Sequence, residues 1–254
     1  MQIGAQMYTL RMYAQNEADL ARSLEKVARI GYRAVQLSGI GPIAPQRVKK
    51  LCDDNGLEIV LTHSSENDFL YNTDALIERH ALYGCRYIGL GAMADRYRNP
   101  EWVEYFVEDF TLPAQKIKDA GMLFMYHNHC FEFARMPDGR TMMDLLLEKM
   151  PADIMGVTAD TYWLQYGGVD VNKWLAEHAE RLACVHFKDW IPHGFDTPRM
   201  AAVGEGNIDF AAIIETLKNN GVTQYALVEQ DDCYGLSPFD CLRKSFENLK
   251  KLGC

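Results

Sequence analysis

Residues 182–189 read LACVHFKD, a short run of apolar side chains that ends in histidine, lysine and aspartate. A strand buried on both faces has this composition, and the polar residues at its carboxyl end mark where the chain leaves the core. Working outward, the same design recurs in IMGVTAD from Ile154, LFMYHNH from Leu123 and YALVEQD from Tyr225. Four further stretches complete a set of eight: IGAQMYTL from Ile3, AVQLS from Ala34, EIVLTHS from Glu58 and YIGLGAM from Tyr87.

Helix-like segments separate these runs, with apolar residues every three or four positions, as in Ala18–Ile30 and Phe239–Leu252. Several close on glycine just before the next strand, at Gly31, Gly56, Gly121 and Gly221. Glycine there accommodates the left-handed turn that ends a helix. Eight strand–helix units, wound in one direction by right-handed crossovers, favour a closed barrel over an open sheet of five or six strands. The expectation is an α/β fold, a single (β/α)8 TIM barrel spanning residues 1–254 as one domain, at the usual barrel size of about 250 residues. A dinucleotide-binding open sheet needs a glycine-rich first turn, whereas this turn reads TLRMYAQNEADL. The later Gly204-Glu205-Gly206 is read as following a loop, and it lacks the third glycine.

Hydrophobic residues make up 48% and charged residues 24% of the chain, ordinary values for a protein with a large core. The net charge of -9 argues against nucleic acid as partner, because that role needs a basic face. Seven cysteines with no CxxC pair read as free thiols. No run approaches the roughly 18 apolar residues needed to span a bilayer. With no charged leader before the first strand, the expectation is a cytoplasmic protein with no membrane partner.

In a parallel barrel, side chains at the carboxyl ends of the strands converge on one mouth. Four potential metal ligands occupy such positions: Glu132, Asp160, His186 and Glu229. Carboxylates and imidazoles in that combination suit one divalent cation, Mn2+ foremost, with Mg2+, Zn2+ or Co2+ as alternatives. Each has a plainer reading as well. Asp160 precedes Thr161-Tyr162-Trp163 and could simply cap a helix, and His186 could be a hydrogen-bonded core histidine. Glu229 is the hardest to explain structurally, because a buried strand runs straight into its carboxylate. His127 and His129 are assigned acid–base or supporting roles beside the cation, and His127 as a direct ligand stays open. Gln6 and Tyr8, Gln36 and His63 end the first three strands. Lys188 lies two residues beyond His186 and Glu205 sits in VGEGNID. Lys188 could hold a substrate oxygen or an enolate, or pair with a neighbouring acid. Trp163 and Phe131 could wall a sugar pocket or pack in the core. Gln6, Gln36, His63, Trp163, Lys188 and Glu205 are taken as substrate contacts.

The ordered motifs IGAQMYTL, YHNHCFEF, ADTYWLQYGG, VHFKDW, VGEGNIDF and VEQDD resemble the sugar phosphate isomerase/epimerase family of xylose-isomerase-like barrels. The resemblance covers essentially the whole chain. It implies a (β/α)8 fold, a divalent metal at the strand ends and chemistry on sugars or keto-sugars. Related groups are ketose 3-epimerases, inosose dehydratases and enzymes that cleave 3-keto-glycosides. The family's metal positions after strands six, seven and eight match Asp160, His186 and Glu229. Its strand-five glutamate is replaced by His127, with Glu132 farther along. The expected reaction is proton abstraction next to a carbonyl, with Glu229, His127 and His129 as acid and base candidates. Return of the proton gives isomerisation or epimerisation, and loss of a β-substituent gives a lyase. A metal-dependent hydrolase and a non-catalytic sugar-binding subunit are the readings from other classes. The expected partner is a small sugar, with a homo-oligomer or a partner subunit as a further expectation.

Overall fold

A computed structural model describes residues 1–254. Ten strands are formed: β1 (Gln2–Gln6), β2 (Ala34–Leu37), β3 (Glu58–Ser64), β4 (Tyr87–Leu90), β5 (Leu123–His127), β6 (Met155–Asp160), β7 (Cys184–Phe187), β8 (Asp189–His193), β9 (Asp196–Ala201) and β10 (Tyr225–Val228). The helices are α1 (Glu17–Ile30), α2 (Pro45–Asp54), α3 (Glu66–Tyr71), α4 (Thr73–Tyr83), α5 (Val103–Asp119), α6 (Met142–Lys149), α7 (Thr161–Tyr166), α8 (Val171–Glu177), α9 (Phe210–Asn220) and α10 (Pro238–Lys251). Strands β1 to β7 follow one another around a closed parallel barrel, and β10 closes it between β7 and β1. All eight barrel strands fall on the eight apolar runs of the sequence.

Every residue of β2, β4, β6 and β7 is buried. One face of each strand points into the barrel and the other meets the helices, so neither can be polar without a partner. The shell between strands and helices is rich in aromatic contacts. Phe110 stacks on Phe106 and on Phe124, and Phe69 packs edge-on to Phe124. Full burial of each such side chain stabilises the fold by about 1.5–3 kcal/mol. Side-chain caps start the helices where the sequence changes period: Asn16 accepts from Asp19, and Thr141 with Asp144 forms a reciprocal capping box before α6. The glycines expected to close helices at 31, 56, 121 and 221 all have positive φ.

One element differs from the sequence reading. The segment before Gly204 is a two-stranded antiparallel hairpin, β8–β9, with Asp189 opposite Ala201. It stands outside the barrel, and Phe195 at its tip is fully exposed. Asp189 anchors its base. Its buried carboxylate accepts the N–H groups of Trp190, Gly204, Gly206 and Ile208. No helix is long and apolar enough to cross a membrane.

Candidate metal centre and active site

The strand ladders bring the strand ends together. Asp160 is the register partner of His186, and the Glu229 N–H continues the ladder onto the Phe187 carbonyl at 3.1 Å. His127 ends β5 on the other side of β6. The ligand atoms of His127, Asp160, His186 and Glu229 all lie within 4.8 Å of one another, and all four residues are buried.

Each member is aimed by a second contact. His127 donates from Nδ1 to the Gly91 carbonyl at 2.7 Å, which turns Nε2 toward Asp160 Oδ2 at 3.3 Å. His186 Nε2 donates to Gln36 Oε1 at 2.6 Å, leaving Nδ1 facing Glu229 Oε2 at 2.9 Å and Asp160 Oδ2 at 3.7 Å. Histidines that ligate metals are oriented in this way by an acceptor behind the ring. Asp160 uses its two oxygens differently. Oδ1 caps α7 through Trp163 N–H at 3.0 Å, while Oδ2 faces the cluster. His186 Nδ1 and Glu229 Oε2 make no hydrogen bond of acceptable geometry. Two imidazole nitrogens and two carboxylates converging with such atoms left over fit a divalent cation of the Mn2+, Zn2+, Co2+ or Mg2+ type.

Lys188 lies beside this group. Its Nζ is 2.6 Å from Asp231 Oδ2, 3.6 Å from Glu229 and 3.7 Å from Asp160. Burial opposes charge on all of these groups, and at Lys188, Asp160 and Glu229 mutual attraction outweighs it. Lys188 is raised above the ordinary lysine value by Glu229, Asp160 and Asp231, and Asp160 and Glu229 are held well below the carboxylate range, chiefly by Lys188. Burial also works against a charged His186, yet Glu229 and Asp160 bring it up to about 9. Asp231 is pushed up to about 6 by burial and by the Glu229 charge. His63 and His129 are lowered by burial and then by neighbouring His127, His129 to about 3.

A chamber of about 430 Å³ opens above the cluster, lined by His63, His127, His129, Trp163, Lys188 and Asp231 among others. His129 sits past the end of β5, its ring packed on His127 and Trp163. His63 bonds Ser38 through Nδ1 at 3.1 Å. Both side chains sit at the barrel mouth. Four other candidates are placed elsewhere. Glu132 is not brought into the metal group. Oε1 accepts from the Tyr126 hydroxyl at 2.7 Å and Oε2 from the His129 N–H at 2.9 Å, so both oxygens brace the turn after β5. Glu205 lies on the outer surface, paired with Lys244 at 2.7 Å, because the hairpin carries VGEGNID away from the mouth. Gln6 and Gln36 are fully buried beneath the chamber. The Gln6 side chain accepts from Tyr8 N–H, and that of Gln36 holds His186. Asp231 went unassigned in the sequence, although it follows Glu229 at the same two-residue spacing that links Lys188 to His186. Asn128, which accepts the Asp160 N–H at 2.9 Å, gave no signal of its own.

Fold and site together define a (β/α)8 barrel with a histidine–carboxylate cluster at its carboxyl-terminal mouth, where this fold carries its chemistry. The chain belongs to the xylose isomerase-like TIM barrel family, whose profile matches residues 24–252. It is 22% identical over 272 aligned residues to the rhizopine catabolism protein MocC of Rhizobium meliloti, covering 93% of this chain and 82% of that protein. Among solved structures it is similar to a sugar phosphate isomerase/epimerase from Parabacteroides distasonis, with TM-score 0.81, 24% identity and 98% of each chain covered. It is also similar to the probable 3-DHS dehydratase AsbF of petrobactin synthesis from Bacillus anthracis, with TM-score 0.71, 14% identity and 98% and 99% of the two chains covered. At these identities the structural likenesses speak to the fold.

Proposed function

We propose that the protein is a divalent-metal-dependent isomerase or epimerase of a sugar or keto-sugar, working by proton abstraction next to a carbonyl. The observation that carries this reading is the convergence of His127, Asp160, His186 and Glu229 directly beneath a chamber that also presents Lys188. These four residues would hold the cation. When bound there, it supplies Lewis-acid polarisation of a substrate carbonyl and its neighbouring hydroxyl.

The chain's own groups supply the rest. Lys188 Nζ, fixed by Asp231, is placed to donate to an oxygen on which negative charge develops. His63 and His129, at the chamber wall and outside the ligand group, each keep one ring nitrogen free of any protein partner, and His129, against Trp163, is read as the side chain that takes the α-proton. Glu132 acts through His129 by holding its backbone N–H, a positioning role. Trp163 beside His129 and Lys188 offers a flat apolar face for a sugar ring. Solvent exchange tests the reading. Incubated with Mn2+ and a ketose in deuterium oxide, the protein should place deuterium at the carbon next to the carbonyl, and His129→Ala should lose most of that exchange. Conversion without any deuterium uptake would count against enolisation.

One observation favours a lyase as the second reading. β5 contributes His127 where a second glutamate would serve a symmetric two-carboxylate proton exchange, so the site is chemically one-sided. A one-sided site suits removal of a proton followed by departure of a β-substituent. Release of water or of an alcohol from the substrate distinguishes it from epimerisation.

A further inference from the structure

A second cavity, of about 510 Å³, lies beside the chamber between the β2–α2 loop and the second half of α4, and it has no part in the chemistry described above. The two are not separate. Ser38, Gly39, His63, Ser64 and Ser65 line both, so they form one trough running from Lys188 to Arg79. The chamber alone already lies within the roughly 300–1,000 Å³ span of small-ligand pockets. The annex is somewhat larger.

We infer that the substrate is an uncharged two-part sugar, a glycoside whose reacting ring occupies the chamber while its second moiety lies in the annex against Arg79, Asp68 and Ala44. This rests on the proposed sugar chemistry and names its substrate class. Charge is the first argument. The two cations of the trough, Arg79 and Lys188, face three carboxylates, Asp68, Glu229 and Asp231, with Asp160 behind them. A divalent cation in the centre brings that set to balance and leaves no surplus positive charge for a phosphate. Arg79 itself is spoken for: its Nη2 is 3.2 Å from Asp68 Oδ2 and 3.3 Å from Ser64 Oγ. An arginine–aspartate pair with adjacent hydroxyls offers donors and acceptors side by side, which matches sugar hydroxyls and not an anion.

The annex wall supplies the second argument. Its sequence, GIGPIAP from Gly39, has the look of a phosphate loop, but four of its seven positions offer no free N–H. Positions 42 and 45 are proline, Gly41 N–H donates to the Ala14 carbonyl and Ile43 N–H to the Gly41 carbonyl. The wall is also fixed in place. A Cβ at Gly41 would lie 2.0 Å from the Gln15 carbonyl oxygen, and Gln15 Nε2 holds the Gly39 carbonyl at 2.7 Å. A rigid, polar, charge-balanced annex is a preformed seat for a second ring.

Equilibrium binding to the Mn2+-loaded protein tests this, by calorimetry with D-glucose, D-fructose and D-fructose 6-phosphate against trehalose, maltose, cellobiose and sucrose. At least one disaccharide should bind tenfold or more tightly than D-glucose, and the phosphate should bind no better than D-fructose. Arg79→Ala and the plugging variant Ala44→Trp should each remove the disaccharide advantage and leave monosaccharide affinity unchanged. A phosphate advantage, the absence of any disaccharide advantage, or an equal loss for one-ring and two-ring sugars in both variants would overturn the inference. Annex-dependent binding with no solvent exchange into any sugar would keep the annex and instead remove the enolisation reading.

Discussion

At strand five, the proposed site gives two nearby residues two different jobs. His127 is the last residue of β5, so its ring enters the barrel mouth, whereas Glu132 lies five residues on and turns back toward Tyr126. Removal of each should therefore be told apart by metal. His127→Ala should weaken Mn2+ binding by about tenfold to a hundredfold or more, at least the loss seen when even supporting contacts are removed. Glu132→Gln should retain metal within a few-fold while lowering exchange activity, since the loop bearing His129 loses its anchor. Titration of both purified variants with Mn2+ decides it, and equal losses would remove this division of roles. Asp160, His186 and Glu229 were legible in the sequence because each ends or follows an apolar run whose direction is fixed by strand alternation. Glu132 was misplaced because the strand stops at His127, and beyond it no period links sequence position to direction.

At the level of elements, the eight strands and the helices at 18–30 and 239–252 could be located, because burial on both faces leaves a continuous apolar signal, but several runs overshoot the strand ends, the first reaching Leu10 where β1 stops at Gln6. The β8–β9 hairpin could not. Its strands carry Pro192 and Pro198, which normally argue against a sheet. Both are tolerated since a two-stranded ribbon is all edge, and the register shifts between Ile191 and His193. Another element-level bond has a pH signature. His80, buried in α4, bonds Thr62 of β3 at 2.8 Å through Nε2 and the Leu76 carbonyl at 2.7 Å through Nδ1. Burial lowers it to about 4, so the unfolded chain, with an ordinary histidine near 6.5, binds the extra proton first. Its stabilising effect is full above about pH 6.5 and is lost as the pH falls toward 4, by roughly 3 kcal/mol at most. Denaturant unfolding of the protein and of His80→Gln between pH 4 and 7 should show a shallower decline in the variant. Parallel profiles would mean that another buried group sets the slope.

For the whole molecule, the crowding of Asp160, Glu229 and Asp231 around Lys188 makes the barrel mouth dependent on a counter-charge. A cation that binds only the folded barrel stabilises it by about 2.7 kcal/mol at a hundred times its dissociation constant. For a chain of this length that corresponds to a rise in Tm of roughly 5–10 °C. Calorimetry with Mn2+ and with EDTA should show the difference in the wild-type protein and none in Asp160→Ala. An identical rise in the variant would place the cation elsewhere.

Gly91 contributes no functional group, yet the centre depends on it twice. Its carbonyl selects which nitrogen of His127 keeps the proton, and a Cβ there would lie 2.9 Å from His63 Nδ1. One added methyl would press on His63 and, through any shift of the backbone, disturb the bond that sets the tautomer of His127. Two histidines on different strands would be perturbed together by a substitution that leaves every reactive side chain intact. Activity in this barrel can thus be lost by drift at a position where a comparison of reactive residues alone would find nothing changed.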